Sequence, residues 1–308
     1  MKTSSRFLLG RTRLLLLLAG LVFVMILMWI GVKYGSNLHL EDMLRIRAKK
    51  MEILSRMRAD LLKSVEAEKT AVMADTDESS RIFADQSRQA AEAIDRDRRE
   101  LGLLIEKDHS DQEIELLREF DRSWANLREI DQLILDLAVK NTNIKAAKLS
   151  FTKGSLLLKR FEEALRDINR TEVSARGRSQ IPEHTCSALT AALRILCLHA
   201  PHIAETQDDQ MDKIEAEIAQ YAGVIKTSLL NLKILIPEEK LASLQEAEMA
   251  YDEFSKVTAE VVDLSRQNTN IKSFELSLGI KRKATAQCDE ILVSLLKVVQ
   301  SKEFRATR

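Results

Sequence analysis

Asn141-Thr142-Asn143-Ile144-Lys145 returns, 127 residues later, as Asn268-Thr269-Asn270-Ile271-Lys272. The match continues without a gap on both sides. Asp136 and Leu137 recur as Asp263 and Leu264, Leu149 and Ser150 as Leu276 and Ser277, and Glu163 and Leu165 as Glu290 and Leu292. Trp124 meets Tyr251, and Ile130 meets Val257. A period this long signals a copied domain, since solenoid units repeat every ~20–50 residues. Asn and Thr carry side-chain oxygens that satisfy free backbone N–H groups, so they break one helix and cap the next. Each copy of the stretch therefore marks a joint between two helices.

Outward from the joints, apolar residues recur at three- and four-residue steps, the mark of helices with one buried face. In the first copy one seam runs Met51, Leu54, Met57, Leu61, Val65, Val72 and stops before Asp75-Thr76-Asp77. A second runs from Ile82 to Ile105, and Ser110 with Glu113 has the spacing of a capping box for the third helix. Phe120, Trp124, Leu127, Ile130, Ile134 and Leu137 form the third seam; Leu149, Leu157, Phe161 and Leu165 form the fourth. The second copy repeats this plan. Ala204-Glu205-Thr206 matches Ala74-Asp75-Thr76 at a spacing of 130, which sets Leu198 and His199 against Glu68 and Lys69. Thr206 and Asp209 form its capping box, and Pro237 suits the first turn of a helix. The expected fold is all-α: an N-terminal transmembrane helix and two tandem antiparallel four-helix bundles. Residues 35–172 make the first bundle, 185–308 the second, and 173–184, with Gly177 and Pro182, the linker. The linker lets the second bundle lie alongside the first; the alternative is an end-to-end stack with one continuous helix through 165–195.

Three Pro and nine Gly in 308 residues leave little turn punctuation, as long helices require. The 47 basic and 47 acidic residues are finely mixed, so they read as solvated helix faces and exclude a nucleic-acid surface. Cys186, Cys197 and Cys288 are too few and too scattered for a disulfide framework. Residues 14–32 contain no charge. At ~1.5 Å per residue they span a hydrocarbon core, and they exceed the ~7–15 residues of a signal-peptide core. Residues 14–34 thus read as a single membrane-spanning anchor, preceded by residues 1–13, a cytoplasmic segment once the family resemblance below sets the body outside. Basic residues flank it about equally, so charge alone does not set its direction.

No Gly-rich phosphate loop, His-Glu-x-x-His, Cys-x-x-Cys or nucleophile elbow occurs, and no catalytic, cofactor or metal residue is assigned. Cys197, His199 and His202 with Glu205 is the one cluster to weigh as a metal site. His199 and His202 share a helix face, but Cys197 points elsewhere and Pro201 bends the segment. These residues read as ordinary parts of a helix, and an enzyme is not expected.

The first copy resembles the four-helix-bundle sensor domain of methyl-accepting chemotaxis receptors and related sensor kinases. The residues carrying this are the joint at 66–78 (Glu-Ala-Glu-Lys-Thr-Ala-Val-Met-Ala-Asp-Thr-Asp-Glu), Trp124, the run 141–145, and Leu149-Ser150. The resemblance covers residues 35–170 and, more faintly, 185–308. It implies a body outside the inner membrane that binds a small-molecule ligand or a periplasmic binding protein, assembles as an oligomer and acts in signal transduction such as chemotaxis. The ligand-binding residues stay unassigned. The sequence carries no second membrane helix, HAMP linker or methylated hairpin, so output through a signalling partner or a split receptor is expected. The competing expectation is a helical spacer or docking protein without a ligand. Polar groups buried between helices would mark the sensor, and apolar seams throughout would mark the spacer.

Overall fold

The computed structural model describes residues 4–170 and 177–306; within residues 4–40, side chains are described only at 21, 24–26, 28 and 29. Every regular element among the described residues is helical. In order they are α1 (Ser4–Met73), α2 (Asp77–Asp108), α3 (Asp111–Ala138), α4 (Thr142–Leu149), α5 (Ser155–Asn169), α6 (Gly177–Ala204), α7 (Asp208–Leu235), α8 (Leu241–Gln267), α9 (Thr269–Leu276) and α10 (Arg282–Ala306). A π-helical turn, Ser150–Gly154, joins α4 to α5, and another, Ser277–Lys281, joins α9 to α10. Asn141 and Asn268 sit at the two joints with φ of 50° and 55°. Asn tolerates this left-handed conformation better than most residues, which is why the chain can turn there.

The chain forms two compact units. The first comprises Met1–Leu61, Glu92–Arg122 and Cys288–Arg308. Its core gathers Ile53, Leu54 and Met57 of α1, Ile94 and Leu101 of α2, Phe120 of α3, and Leu292 and Leu295 of α10. Arg56 of α1 reaches Asp97 of α2 at 2.9 and 3.0 Å, and Arg58 reaches Asp289 of α10 at 2.7 and 3.2 Å. Lys50 of α1, fully buried, binds Glu113 of α3 at 2.6 Å. Glu113, one arm of the expected capping box, forms this ion pair.

The second unit comprises Leu62–Ala91 and Ser123–Gln287. One continuous apolar cluster joins Leu157, Phe161 and Leu165 of α5 to Ala188 and Ile195 of α6, Ile225 and Leu229 of α7, and Tyr251 and Phe254 of α8. A smaller cluster joins Val72 of α1 to Ile134 and Ala138 of α3, with Leu276 of α9 packed on it. The fourth helix of each copy therefore packs with helices one to three of the other copy. This departs from the expected contiguous bundles at 35–172 and 185–308. A helical apolar period shows that a face is buried but does not name the partner it is buried against.

Other local expectations shift as well. α6 begins at Gly177, so most of the expected linker 173–184 is helix, while residues 171–176 lie outside the described residues. Pro182 and Pro201 both lie inside α6. α7 starts at Asp208, and its cap residue Gln207 makes no side-chain bond to it. The free N–H groups of Thr206 and Gln207 go to the Glu205 carboxylate at 2.8 and 2.9 Å, replacing the expected Thr206–Asp209 box. Pro237 precedes a 3-10 turn, Glu238–Lys240. The backbone is helical throughout residues 14–32, though most of that segment's side chains lie outside the described residues. Those described, among them Met28 and Trp29, are exposed. Gln180–Ala204 is long and apolar enough to cross a membrane, yet Ala188, Ala192 and Ile195 place it in a protein core.

Candidate functional site: two polar centres either side of a shared joint

The repeated Asn-Thr-Asn stretches meet. A helix start leaves its first N–H groups without partners in the helix. The cap residues Asn141 and Asn268 make no side-chain bond to their own helices. The other copy supplies the acceptors. Thr142 N–H donates to Thr269 Oγ1 and Thr269 N–H to Thr142 Oγ1, each at 3.2 Å. Asn143 N–H donates to Asn270 Oδ1 at 3.2 Å and Asn270 N–H to Asn143 Oδ1 at 3.3 Å. Asn143 Nδ2 donates to Asn268 Oδ1 at 2.7 Å, and Asn270 Nδ2 to Asn141 Oδ1 at 2.8 Å. The stretch caps helices, as expected, but caps those of its twin. Asn141 and Asn268 tie the joint to the preceding turns, donating to Ser80 Oγ at 2.9 Å and Glu205 O at 2.7 Å.

On one side of this joint lies a charged centre. Lys281 closes the second π-helical turn and sends a buried ammonium between Glu68 of α1, at 2.9 Å, and Asp131 of α3. Two carboxylates share one ammonium away from water. Burying ions costs more than a fully apolar seam of the same volume, so this centre is not explained by stability alone.

The equivalent place on the other side of the joint is neutral. α1 ends at Met73 and α6 at Ala204; α2 opens at Asp77 and α7 at Asp208. This spacing of 131 sets His199, not Leu198, against Glu68, correcting the 130-residue alignment. Thr258 then stands for Asp131 and Gly154 for Lys281. His199 is buried, with Nδ1 at 2.8 Å from Ser150 Oγ of the first π-helical turn and Nε2 at 3.2 Å from Thr258 Oγ1. Its ring stacks on Phe254 with centroids 6.1 Å apart. Burial, with a smaller effect of His202, pushes the His199 pKa down to about 4, so the imidazole is neutral.

His202, one turn on, is also buried. It links Ser265 Oγ to Glu215 Oε1, the latter at 2.9 Å, and Arg266 braces Glu215 at 2.7 Å. Burial works to raise the Glu215 carboxyl, but hydrogen bonds from Arg266 and His202 outweigh it and leave it below the usual range. The order Ser–His–Glu has the connectivity of a hydrolase triad. Ser265, however, is fully buried and its hydroxyl donates to Val262 O at 3.0 Å, so a substrate carbonyl has no approach. Cys197 is exposed and Glu205 is engaged with backbone, so the cluster weighed in the sequence does not converge. No group of three metal-capable side chains occurs among the described residues.

Beside the neutral centre an open groove of about 480 Å³ runs between α4–α5 and α6. Ala147, Ser150, Phe151 and Ser155 form one wall, and Leu196, Ala200 and Ile203 the other. Sequence reading did not find this site. Its polar members are single Ser, Thr and Gly residues, and neither π-helical turn interrupts the apolar period visibly. The Lys281 position was legible only as one charge among many.

No protein-family model matches the chain, and no curated protein sequence matches it. Among solved structures, the fold is similar to the sensor domain of the histidine kinase sensor TorS of V. parahaemolyticus. The TM-score is 0.60 at 14% sequence identity, over 80% of this chain and 99% of that domain. The likeness establishes a shared helical fold.

Proposed function

We propose that the chain is a membrane-anchored sensory input module of chemoreceptor type, held by residues 14–32 with its helical body outside the cytoplasm. It receives a small-molecule ligand or a binding protein and passes a helix rearrangement to a signalling partner. The observation that carries this reading is the buried polar chemistry between helices. Glu68, Asp131 and Lys281 on one side, and His199, Thr258 and Ser150 on the other, occupy positions a rigid spacer would fill with apolar side chains. Buried polar networks of this kind favour discrete alternative arrangements over continuous flexing. The likeness to a kinase sensor domain supports the same reading.

The test is a hybrid receptor, with this chain joined after α10 to the membrane helix and kinase half of a sensor that drives a reporter gene. Lys281→Met and His199→Phe are each expected to bias the reporter while the protein still accumulates in the membrane. Output indifferent to both substitutions favours the spacer reading. An alkaline phosphatase fusion at the carboxyl end reports the side of the membrane, and activity is expected.

A further inference from the structure

We propose that the groove beside the first π-helical turn binds a small, uncharged, mainly apolar molecule bearing one hydrogen-bonding group. The proposal rests on the sensory reading and deepens it. The groove's volume, about 480 Å³, falls within the ~300–1,000 Å³ typical of small-molecule sites. None of its lining residues is charged, so an ionic ligand would lose hydration without a counter-charge. The one polar group in the wall with a built support is the Ser150 hydroxyl, which rests on the buried His199 ring. A neutral imidazole has one N–H and one lone pair. Ser150 therefore either donates to Nδ1 and keeps a lone pair, or accepts from it and keeps its O–H. In both tautomers one hydrogen bond remains for a ligand. π-helical turns recur at functional sites because the extra residue leaves the backbone ladder locally open.

The charged side of the joint is an internal control on this reading. At the positions of Ala147, Ser155 and Ala200 it carries Phe274, Arg282 and Lys69. At the position of Gly154 it carries Lys281, whose ammonium occupies the polar centre. Ser150 is matched by Ser277, and Phe151, Leu196 and Ile203 by the apolar Leu278, Val65 and Val72. At Ala147, Ser155, Ala200 and Gly154 the neutral side thus carries the smaller, uncharged residue. A methyl placed on Gly154 would already meet Leu196 of the groove at 3.4 Å. Phe151, 82% exposed, stands at the rim with its ring free to cover an occupant.

The experiment uses the full chain in lipid nanodiscs with a trifluoromethyl tag on the native Cys197, next to Leu196. Cys186→Ser removes the other exposed thiol. Cys288 needs no change, being fully buried with its thiol pKa pushed up to about 12. Indole, phenol and benzamide are the probes: uncharged, apolar and able to hydrogen-bond. At least one is expected to shift the fluorine signal saturably, with a Kd on the order of 0.1 mM. Ala200→Trp should abolish the shift without changing the melting temperature, and Ser150→Ala should raise Kd about three- to tenfold. A tag at Glu66→Cys, the same position in the other copy, should show no saturation. The proposal is overturned by a linear response at Cys197 for all three probes up to about 10 mM. It is equally overturned by saturation that survives Ala200→Trp, or by the same response at Glu66→Cys. Binding with an indifferent hybrid receptor would sink the sensory reading alone; a responsive hybrid without binding would sink only the groove.

Discussion

Glu68 and Asp131 of the first copy with Lys281 of the second stand where His199 and Thr258 of the second copy with Gly154 of the first stand on the other side of the joint. In the first trio Lys281 fills the gap between the two carboxylates and pairs with both. The second has no such internal cation; its uncharged imidazole lies between the hydroxyls of Thr258 and Ser150. Duplication has kept the joint and changed what the joint flanks. The mutual caps are conserved between the copies because each helix start depends on the other's side chains. The centres are free to diverge because each is satisfied within its own helices. One centre thereby becomes a closed brace and the other an open-walled site.

The sharpest way to break this contrast is to unbalance the charged centre. Lys281→Met strands two buried carboxylates and is expected to cost about 3–5 kcal/mol by chemical denaturation. Replacing Glu68, Asp131 and Lys281 together by Leu should recover most or all of that loss, because the neutral centre shows the scaffold needs no ions there.

Acid probes the neutral centre. The pKa of His199 is about 4 in the fold and 6.5 in the unfolded chain. Between these values the unfolded chain binds a proton that the fold refuses. The contribution of His199 is thus fully present above pH 6.5 and is lost as pH falls towards 4, on the order of 3 kcal/mol in all. The groups facing the ring are Ser150, Thr258, Phe254 and His202. His199→Gln should flatten this part of the stability–pH curve.

Smaller effects sharpen what the copies share. Asn143→Ala and Asn270→Ala should each cost about 0.5–2 kcal/mol, and the double variant should cost less than their sum, because the two side chains cap each other's helices. At the position matching Lys281, Gly154→Ala should stay within about 1 kcal/mol of the parent. The added methyl meets Leu196 at 3.4 Å, an ordinary van der Waals contact, and the helix propensity gained is itself no more than about 1 kcal/mol.

How far the sequence disclosed this molecule follows from the kind of signal involved. Helix class, the positions of the joints and the buried seams are periodic features, and Met57, Leu101, Phe120 and Phe254 all lie in cores as their spacing implies. The exchange of fourth helices was not legible, because the apolar face of α5 would suit either set of partners. The caps of the joint were legible as chemistry but not as pairing, since Thr142 and Thr269 are 127 residues apart. His199 and His202 looked like incidental helix residues because their partners, Ser150, Thr258 and Ser265, come from distant segments.

The pairing of the joints is the central claim, since the exchange and the equivalence of the two centres both follow from it. Thr142 Oγ1 and Thr269 Oγ1 lie 3.2 Å apart, so cysteines at these two positions should cross-link. With Cys186, Cys197 and Cys288 replaced, mild oxidation of Thr142→Cys/Thr269→Cys is expected to yield one intrachain disulfide joining the two peptides, with helicity unchanged by circular dichroism. Two free thiols after oxidation of the folded chain, or cross-links only between separate chains, would contradict the account.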